Sequence, residues 1–495
     1  MNEDFKNDLD EPLIFHDPKE ENGMPNNYQL ELLPKESYLE NGNTKIRQIS
    51  NLSDYEDKDF ENINIKEGNN NKNIPIKKKS TLDDISLSSL LFRPIQSGSL
   101  RSSVYGLICV TLGTGMLPLP YFFRTNGILL TLIIFFFCSF PTYITLKLLT
   151  TISYEFKIYS FDKLIAHLFG KNSFMEIYTV IVLLINSFGS IIMWNVFISE
   201  FAKDILGYFN SELGSHTNLI LILFFILIFI QIPLAVFSSG KEFDIMSTLG
   251  MFQIVYVIFV VIFEFPNYLM ENYDKELFGE METYFNFNIK IVEMPFIFFI
   301  AFGNHSTILT VIQQIKNKTH ERVSNVGKKT FYAEFGIYLL IFFICYFSTF
   351  QQTEQIFLTR PNTSFLMLIG EFFMMILMIC NIALYFFTST PTFEFILNDG
   401  KELSQKQKYF SSFIVLTTLM IISFYINEVD TILAFLGVTA QVSLIFIIPI
   451  SMYIKWKEDT ISNSRKIMFI CLILFFTLLG VGGFILMIYN QFRTI

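Results

Sequence analysis

The sequence predicts an all-α membrane protein that crosses the bilayer about eleven times. Of its 495 residues, 52% are hydrophobic and only 16% are charged. The mean hydropathy is +0.44, whereas a soluble protein needs a more polar surface. Apolar runs long enough to cross the hydrocarbon core recur at short intervals from about residue 100 onward. Composition and run length therefore agree on the fold class.

The predicted spans, numbered 1 to 11 in chain order, are the apolar runs of spanning length. They lie at roughly 102–123, 127–151, 174–202, 218–237, 245–265, 291–314, 331–350, 364–389, 409–427, 431–454 and 466–489. All five cysteines fall inside these runs, so we expect neither a disulfide framework nor a cysteine metal site. The transmembrane domain is assigned to residues 96–492.

Residues 1–95 are rich in Asn, Asp, Glu and Lys and lack sustained apolar periodicity. This composition predicts a disordered tail. A basic run at Lys77-Lys78-Lys79, followed by Ser80-Thr81, leaves open a regulatory segment that meets a cytosolic partner. The loops on the same side of the membrane as the N-terminus carry about sixteen basic residues, and the loops on the opposite side carry about six. The positive-inside rule then predicts a cytosolic N-terminus and an extracytosolic C-terminus.

Span 1 is interrupted at its centre by Gly113, Thr114 and Gly115, and then by Pro118 and Pro120. The hydrocarbon core of the bilayer offers no hydrogen-bond partners to backbone N–H and C=O groups that lose their helical partners. We therefore expect the helix to open at Gly113–Gly115, where the freed groups face protein or a solute. A proline-kinked but continuous span is the alternative.

Span 6 repeats this theme, because Gly303, Asn304, His305 and Ser306 interrupt it after Pro295. Interrupted spans that lie five apart are typical of two inverted five-helix repeats. An unwound segment offers N–H groups to a carboxylate and carbonyl oxygens to a cation. A zwitterionic amino acid matches that pair of dipoles.

Three motifs resemble the amino acid/auxin permease family, in a protozoan, apicomplexan-like form. They are LGTGMLPLPYFFRTNG in span 1, FGNHSTIL in span 6 and FLGVTAQVSLIFIIPISMYIKW in span 10. The resemblance implies the LeuT-like (APC) fold of five plus five inverted spans with one extra helix. It also implies amino acid transport by alternating access.

Two departures from the family bear on the coupling ion. Sodium-coupled relatives place an Asn where this chain has Cys109, and a thiol is a poor sodium ligand. Proton-coupled relatives carry a His and a Lys where this chain has Gly106 and Cys109. Proton coupling would then need another titrating group: His305 first, with Glu334 and Glu371 in reserve. Uncoupled exchange stays open.

The sequence thus predicts a secondary active transporter of amino acids, proton-coupled or facilitative, with no enzymatic activity and no cofactor, metal or nucleic acid. The substrate site is predicted at Thr111, Gly113, Thr114, Gly115, Phe302, Gly303, Asn304 and His305, with Asn381 as an ion-site candidate. An amino acid sensor that signals through the tail and a transporter of other organic solutes or drugs are the alternatives. The plasma membrane and an acidic vacuole or lysosome-like membrane both fit.

Overall fold

The computed structural model describes residues 35–40, 43–48, 98–210, 216–237, 243–273, 285–287, 289–360, 364–398, 403–426 and 429–494. The chain divides into two units, residues 1–86 and 87–495. In the first unit, β1 (Lys35–Glu40) and β2 (Asn43–Gln48) form an antiparallel hairpin in which Lys35 faces Gln48. The prediction of a disordered tail otherwise falls outside the described residues.

The described part of the second unit consists mainly of helices joined by short turns. Its helices are α1 (Leu100–Gly115), α2 (Tyr121–Asn126), α3 (Ile128–Phe156), α4 (Phe161–Phe169), α5 (Phe174–Phe209), α6 (His216–Ile226), α7 (Ile232–Phe237), α8 (Phe243–Tyr273), α9 (Met294–Ala301), α10 (His305–Gln314), α11 (His320–Thr349), α12 (Phe365–Asn398), α13 (Gln405–Ser423), α14 (Val429–Leu436), α15 (Ile448–Trp456) and α16 (Asn463–Thr494). Short 3₁₀ turns lie at Ile289–Ile291, Phe350–Gln352 and Phe357–Thr359.

Each predicted span coincides with a helical segment. Within the described residues, nine of these segments are long and apolar enough to cross a membrane. Span 1 falls short because α1 has only 16 residues before a turn. Span 9 falls short because α13 begins with the polar run Gln405-Lys406-Gln407-Lys408. The protein is therefore a multi-pass integral membrane protein.

Span 1 opens one turn later than predicted. Helix α1 continues through Gly113 and ends at Gly115, and the residues from Met116 to Pro120 form turns before α2. Glycine lowers helix stability but keeps its N–H group, whereas proline has no N–H to donate. The ladder therefore tightens, and the Leu117 N–H donates to the Thr114 carbonyl oxygen at 3.3 Å. The expectation of unwinding at Gly113–Gly115 is wrong by about one turn.

Span 6 breaks at Gly303 and Asn304 as predicted, whereas His305 and Ser306, also predicted to interrupt it, already belong to α10. Helix α9 ends at Ala301, residues Phe302 to Asn304 are non-helical, and α10 begins at His305. In an apolar stretch of 18 residues within Met294–Gln314, 83% of the residues are buried, against 22% in the corresponding stretch within Asn463–Tyr489 of span 11. Span 6 is therefore central in the domain, and span 11 lies at its edge.

Two further spans contain π-helical turns. Span 4 has one at Leu227–Gln231, and span 10 has two in near succession at Gly437–Gln441 and Ser443–Ile447. A π turn holds an extra residue, so it changes the direction of the side chains that follow, often at functional sites. Span 10 is 78% buried over Val429–Trp456, so its redirected side chains meet other spans.

Candidate functional site

A buried carboxylate joins spans 1, 6 and 7. The Glu334 side chain of α11 is fully buried and accepts a hydrogen bond from the Thr111 hydroxyl of α1. The Asn304 Nδ2 group, in the span 6 break, donates to Glu334 Oε1 at 2.9 Å and lies 3.0 Å from Oε2. Among the described residues, no basic side chain forms an ion pair with Glu334. Its charge is thus met by neutral donors alone.

Span 7 also supports the other side of the break. The Tyr338 hydroxyl, one helical turn after Glu334, donates to the Ala301 carbonyl oxygen at 2.6 Å. A Cβ atom at Gly115 would lie 2.8 Å from Ala301 Cα and 3.0 Å from Tyr338 Oη. Only glycine therefore allows the last turn of α1 to come this close to the end of α9.

His305, the first residue of α10, is fully buried and faces span 2. Its Nε2 atom lies 3.1 Å from the Thr145 hydroxyl oxygen of α3. That hydroxyl also lies 3.0 Å from the Thr142 carbonyl oxygen, to which it can donate. His305 Nδ1 has no hydrogen-bond partner among the described residues.

Phe302 anchors the break through its ring. The ring lies 5.4 Å from Phe135 of span 2 and 5.2 Å from Tyr338 of span 7, centroid to centroid. Aromatic pairs at such distances add to the stability of a packed core. Phe302 is therefore a packing residue in this structure, and its N–H and carbonyl groups bond to Phe298 and Asn304 of the same span.

Span 8 approaches span 1 at Gly113. A Cβ atom on Gly113 would lie 3.2 Å from Leu377 Cδ2 and 3.7 Å from Asn381 Nδ2. Asn381 is 4% exposed, and its Nδ2 group has no partner among the described residues. Cys109 faces away toward span 5, because a Cβ atom on Gly250 would lie 2.9 Å from its Sγ atom.

Glu371 is remote from these groups. It lies ten residues before Asn381 on α12, about 15 Å along the helix. The carboxylate is fully buried, its oxygens have no hydrogen-bond partner within the described part of the chain, and its charged neighbour is Asp204 near the end of α5.

A cavity of about 490 Å³ leads to the span 6 break. Its walls come from α4, α5, α10, α12, α13 and the segment that joins α3 to α4, and they include Asn186, Ser306 and Tyr385. Tyr159 lies in that joining segment, where burial and the nearby Tyr154 raise the pKa of its phenol, so it stays a neutral donor. The Lys316 N–H donates to the Gly98 carbonyl oxygen at 3.0 Å, so α10 ends where span 1 begins. The cavity therefore opens on that side of the membrane.

The opposite side of the span 1 break is covered by residues 350–360, between spans 7 and 8. The Phe357 N–H donates to the Leu117 carbonyl oxygen at 3.2 Å, and Arg124 Nη1 donates to the Thr353 carbonyl oxygen at 2.9 Å. Arg360 forms a buried ion pair with Glu264 of span 5. The Leu117 carbonyl oxygen, which lies in the turn between α1 and α2, is thus satisfied by a donor from residues 350–360.

Sequence reasoning anticipated part of this arrangement. The structure brings Thr111, Asn304 and Glu334 together, and it brings Gly113 to Asn381 and Gly115 to Ala301. It separates His305 and Glu371 from that cluster. Thr145, Tyr338 and Gln441 were missed. Only Tyr338 could have been found from the sequence, because its hydroxyl group lies one helical turn from Glu334 in an otherwise apolar run.

These features define a multi-pass membrane protein of the LeuT-like class, with discontinuous first and sixth spans. A solved structure of this class, MhsT in complex with L-phenylalanine, matches with a TM-score of 0.53 at 13% identity. The match covers 80% of this chain and 100% of that one. Residues 96–492 match the family model described as transmembrane amino acid transporter protein, and the chain belongs to that family.

Relatives in this family carry transporter names. The putative amino acid transporter AAT1 of Plasmodium berghei is 23% identical over 313 residues, which is 61% of this chain and 48% of that one. Its Plasmodium falciparum counterpart is 26% identical over 306 residues, 61% and 47% of the two chains. The match thus spans about half the length of these relatives. The sodium-coupled neutral amino acid symporter 2 of Danio rerio is 22% identical over 396 residues, 75% and 78% of the two chains.

Proposed function

We propose that this chain is a secondary active transporter that moves amino acids by alternating access, with a proton bound at Glu334 as the coupling ion. Family membership and the names of the relatives support the transport of amino acids. The observation that carries the coupling proposal is the buried Glu334 carboxylate, which joins both interrupted spans. No enzymatic reaction is part of the proposal.

The substrate backbone binds between the interrupted helices. The N-terminus of α10, at His305 and Ser306, presents N–H groups that suit an α-carboxylate. The last turn of α1, at Gly113, Thr114 and Gly115, carries the negative end of a helix dipole, which suits an α-ammonium group. The cavity beside Ser306 supplies access from the side where span 1 begins.

Glu334 is a better coupling group than His305 or Glu371. The Thr111 hydroxyl and the Asn304 amide both donate to the carboxylate, so they favour its ionised form. A proton removes the negative charge of the carboxylate, so both of these charge-assisted hydrogen bonds weaken. Proton binding is thereby linked to the contact between spans 1 and 6. His305 and Glu371 lack that link.

Sodium coupling has weaker support. The Danio rerio relative is named as sodium-coupled, yet Cys109 replaces the ligand that the resemblance implies, and its thiol packs against span 5. Asn381 beside Gly113 is the remaining candidate for an ion site between spans 1 and 8. We place the N-terminus in the cytosol, and the host membrane is either the plasma membrane or an acidic vacuole. The sensor alternative depends on a tail that is largely outside the described residues.

Uptake of labelled amino acids into liposomes tests the site, with Gly115→Ala as the variant. The added methyl group would lie 2.8 Å from Ala301 Cα, so spans 1 and 6 must separate. We expect uptake to fall by about tenfold or more, because sub-ångström changes of site geometry are costly. Gly336→Ala on α11 is the matched control, since nothing lies within 4 Å of its Cβ position. Equal uptake by both variants would show that the site lies elsewhere.

A further inference from the structure

A glutamine from span 10 lies directly over the span 6 break. A Cβ atom on Gly303 would lie 2.7 Å from Gln441 Oε1, 3.0 Å from its Cδ and 3.1 Å from its Nε2. The amide plane of Gln441 thus occupies the space that a side chain at position 303 would need. Gln441 is the last residue of the first π turn in span 10, which sets its direction.

Span 3 fixes the orientation of this amide. Gln441 Nε2 donates to Asn186 Oδ1 at 2.9 Å. Gln441 is 4% exposed, and its Oε1 atom has no hydrogen-bond partner within the described part of the chain. A buried carbonyl oxygen without a donor is costly, so such a group is often kept for a ligand. Asn186 itself lines the cavity.

The cavity supplies a second, independent indication about the ligand. Its titratable lining groups include three carboxylates, Asp162, Glu176 and Glu394, and one ammonium group, Lys408. Asp162 and Glu176 lie in the first turns of α4 and α5, and Asn186 lies about 18 Å along α5 from its start. The access route is therefore acidic near the helix ends. Such a potential concentrates cations and repels anions.

We propose that Gln441, oriented by Asn186, is a specificity-determining residue that selects amino acids whose side chains donate hydrogen bonds. Neutral amides and cationic side chains give Gln441 Oε1 the donor that it lacks. An apolar substrate side chain leaves Gln441 Oε1 without a donor, and an acidic one places a second acceptor against it, which is unfavourable. This inference rests on the proposed function, because it assigns the substrate side chain of the same site.

Competition in liposomes tests this selection. Unlabelled competitors of matched size are compared for inhibition of labelled glutamine uptake: glutamine, methionine and glutamate, and then lysine and norleucine. For the unmodified protein we expect glutamine and lysine to compete at least tenfold better than their apolar or acidic counterparts. In Gln441→Met we expect the preference for glutamine over methionine to fall by about tenfold, since the acceptor is gone.

A matched control and a second variant keep the test decisive. Tyr178→Phe removes another hydrogen bond between spans 3 and 10, the one that joins the Tyr178 and Ser443 hydroxyl groups at 2.6 Å, and should leave the preference unchanged. Gln441→Glu keeps the shape of the side chain and adds a negative charge, so lysine should become a stronger competitor relative to glutamine. This variant provides the test if Gln441→Met does not reach the membrane. An unchanged preference in the Gln441 variants would overturn this inference alone. Absence of any amino acid uptake by the unmodified protein would overturn the proposed function instead.

Discussion

Glu334 is the residue on which the transport proposal depends. An unpaired carboxylate in a membrane interior is costly unless hydrogen bonds satisfy it or a proton neutralises it. Here its donors come from the two interrupted spans, through Thr111 and Asn304. These hydrogen bonds stabilise the buried carboxylate, and they also make its protonation state depend on the arrangement of spans 1 and 6.

His305 provides the contrast at the residue scale. Its imidazole accepts nothing from span 1 and is bonded to Thr145 of span 2. We therefore expect His305→Gln, which retains a side-chain amide that can bond to Thr145, to keep the stimulation of uptake by an inward proton gradient. The measurement is initial uptake at equal and unequal pH across the liposome membrane. Loss of that stimulation, with uptake at equal pH intact, would assign the coupling proton to His305.

At the element scale, the prolines of span 1 matter more than its glycines. Pro118 removes the N–H that would bond to the Thr114 carbonyl oxygen in a continuous helix. The turn from Met116 to Pro120 follows, and residues 350–360 cover it through Phe357. The sequence thus determines this break, because its prolines lack the N–H groups that a continuous helix needs.

Pro118→Ala restores one such donor. We expect α1 to extend toward α2 and the Phe357 contact to weaken, because the Leu117 carbonyl oxygen turns into the helix ladder. Uptake should fall by about tenfold while the protein stays folded, since alanine favours helix by about 3 kcal/mol over proline. Uptake and thermal unfolding of the purified variant provide the two measurements. Unchanged uptake would mean that the opening in span 1 is not used.

The span 6 break could be predicted from sequence, and the site beside it only in part. Gly303 and Asn304 in an apolar run, after Pro295, are a local signal, so position and type were both correct. The span 1 break was misplaced because glycine permits unwinding without requiring it. The pairing of Gln441 with Asn186 was beyond sequence reasoning, since it joins residues 255 positions apart through a π turn that tertiary packing stabilises.

At the scale of the whole molecule, the structure is open on one side only of the span 1 and span 6 breaks, as far as the described residues show. The cavity reaches Ser306 from the side where span 1 begins, and residues 350–360 close the opposite side. Alternating access then requires that Arg124 and Phe357 release their contacts while the cavity closes. Glu334 lies between these two regions, on the contact that must change.

Accumulation of an amino acid in liposomes driven by a proton gradient tests the coupling by Glu334 most directly. Under an inward gradient, with the outside acidic, the unmodified protein should accumulate substrate about tenfold above its level at equal pH. Glu334→Gln keeps the size of the side chain and cannot exchange a proton, so it should equilibrate substrate without accumulation. Accumulation by Glu334→Gln equal to that of the unmodified protein would contradict the account.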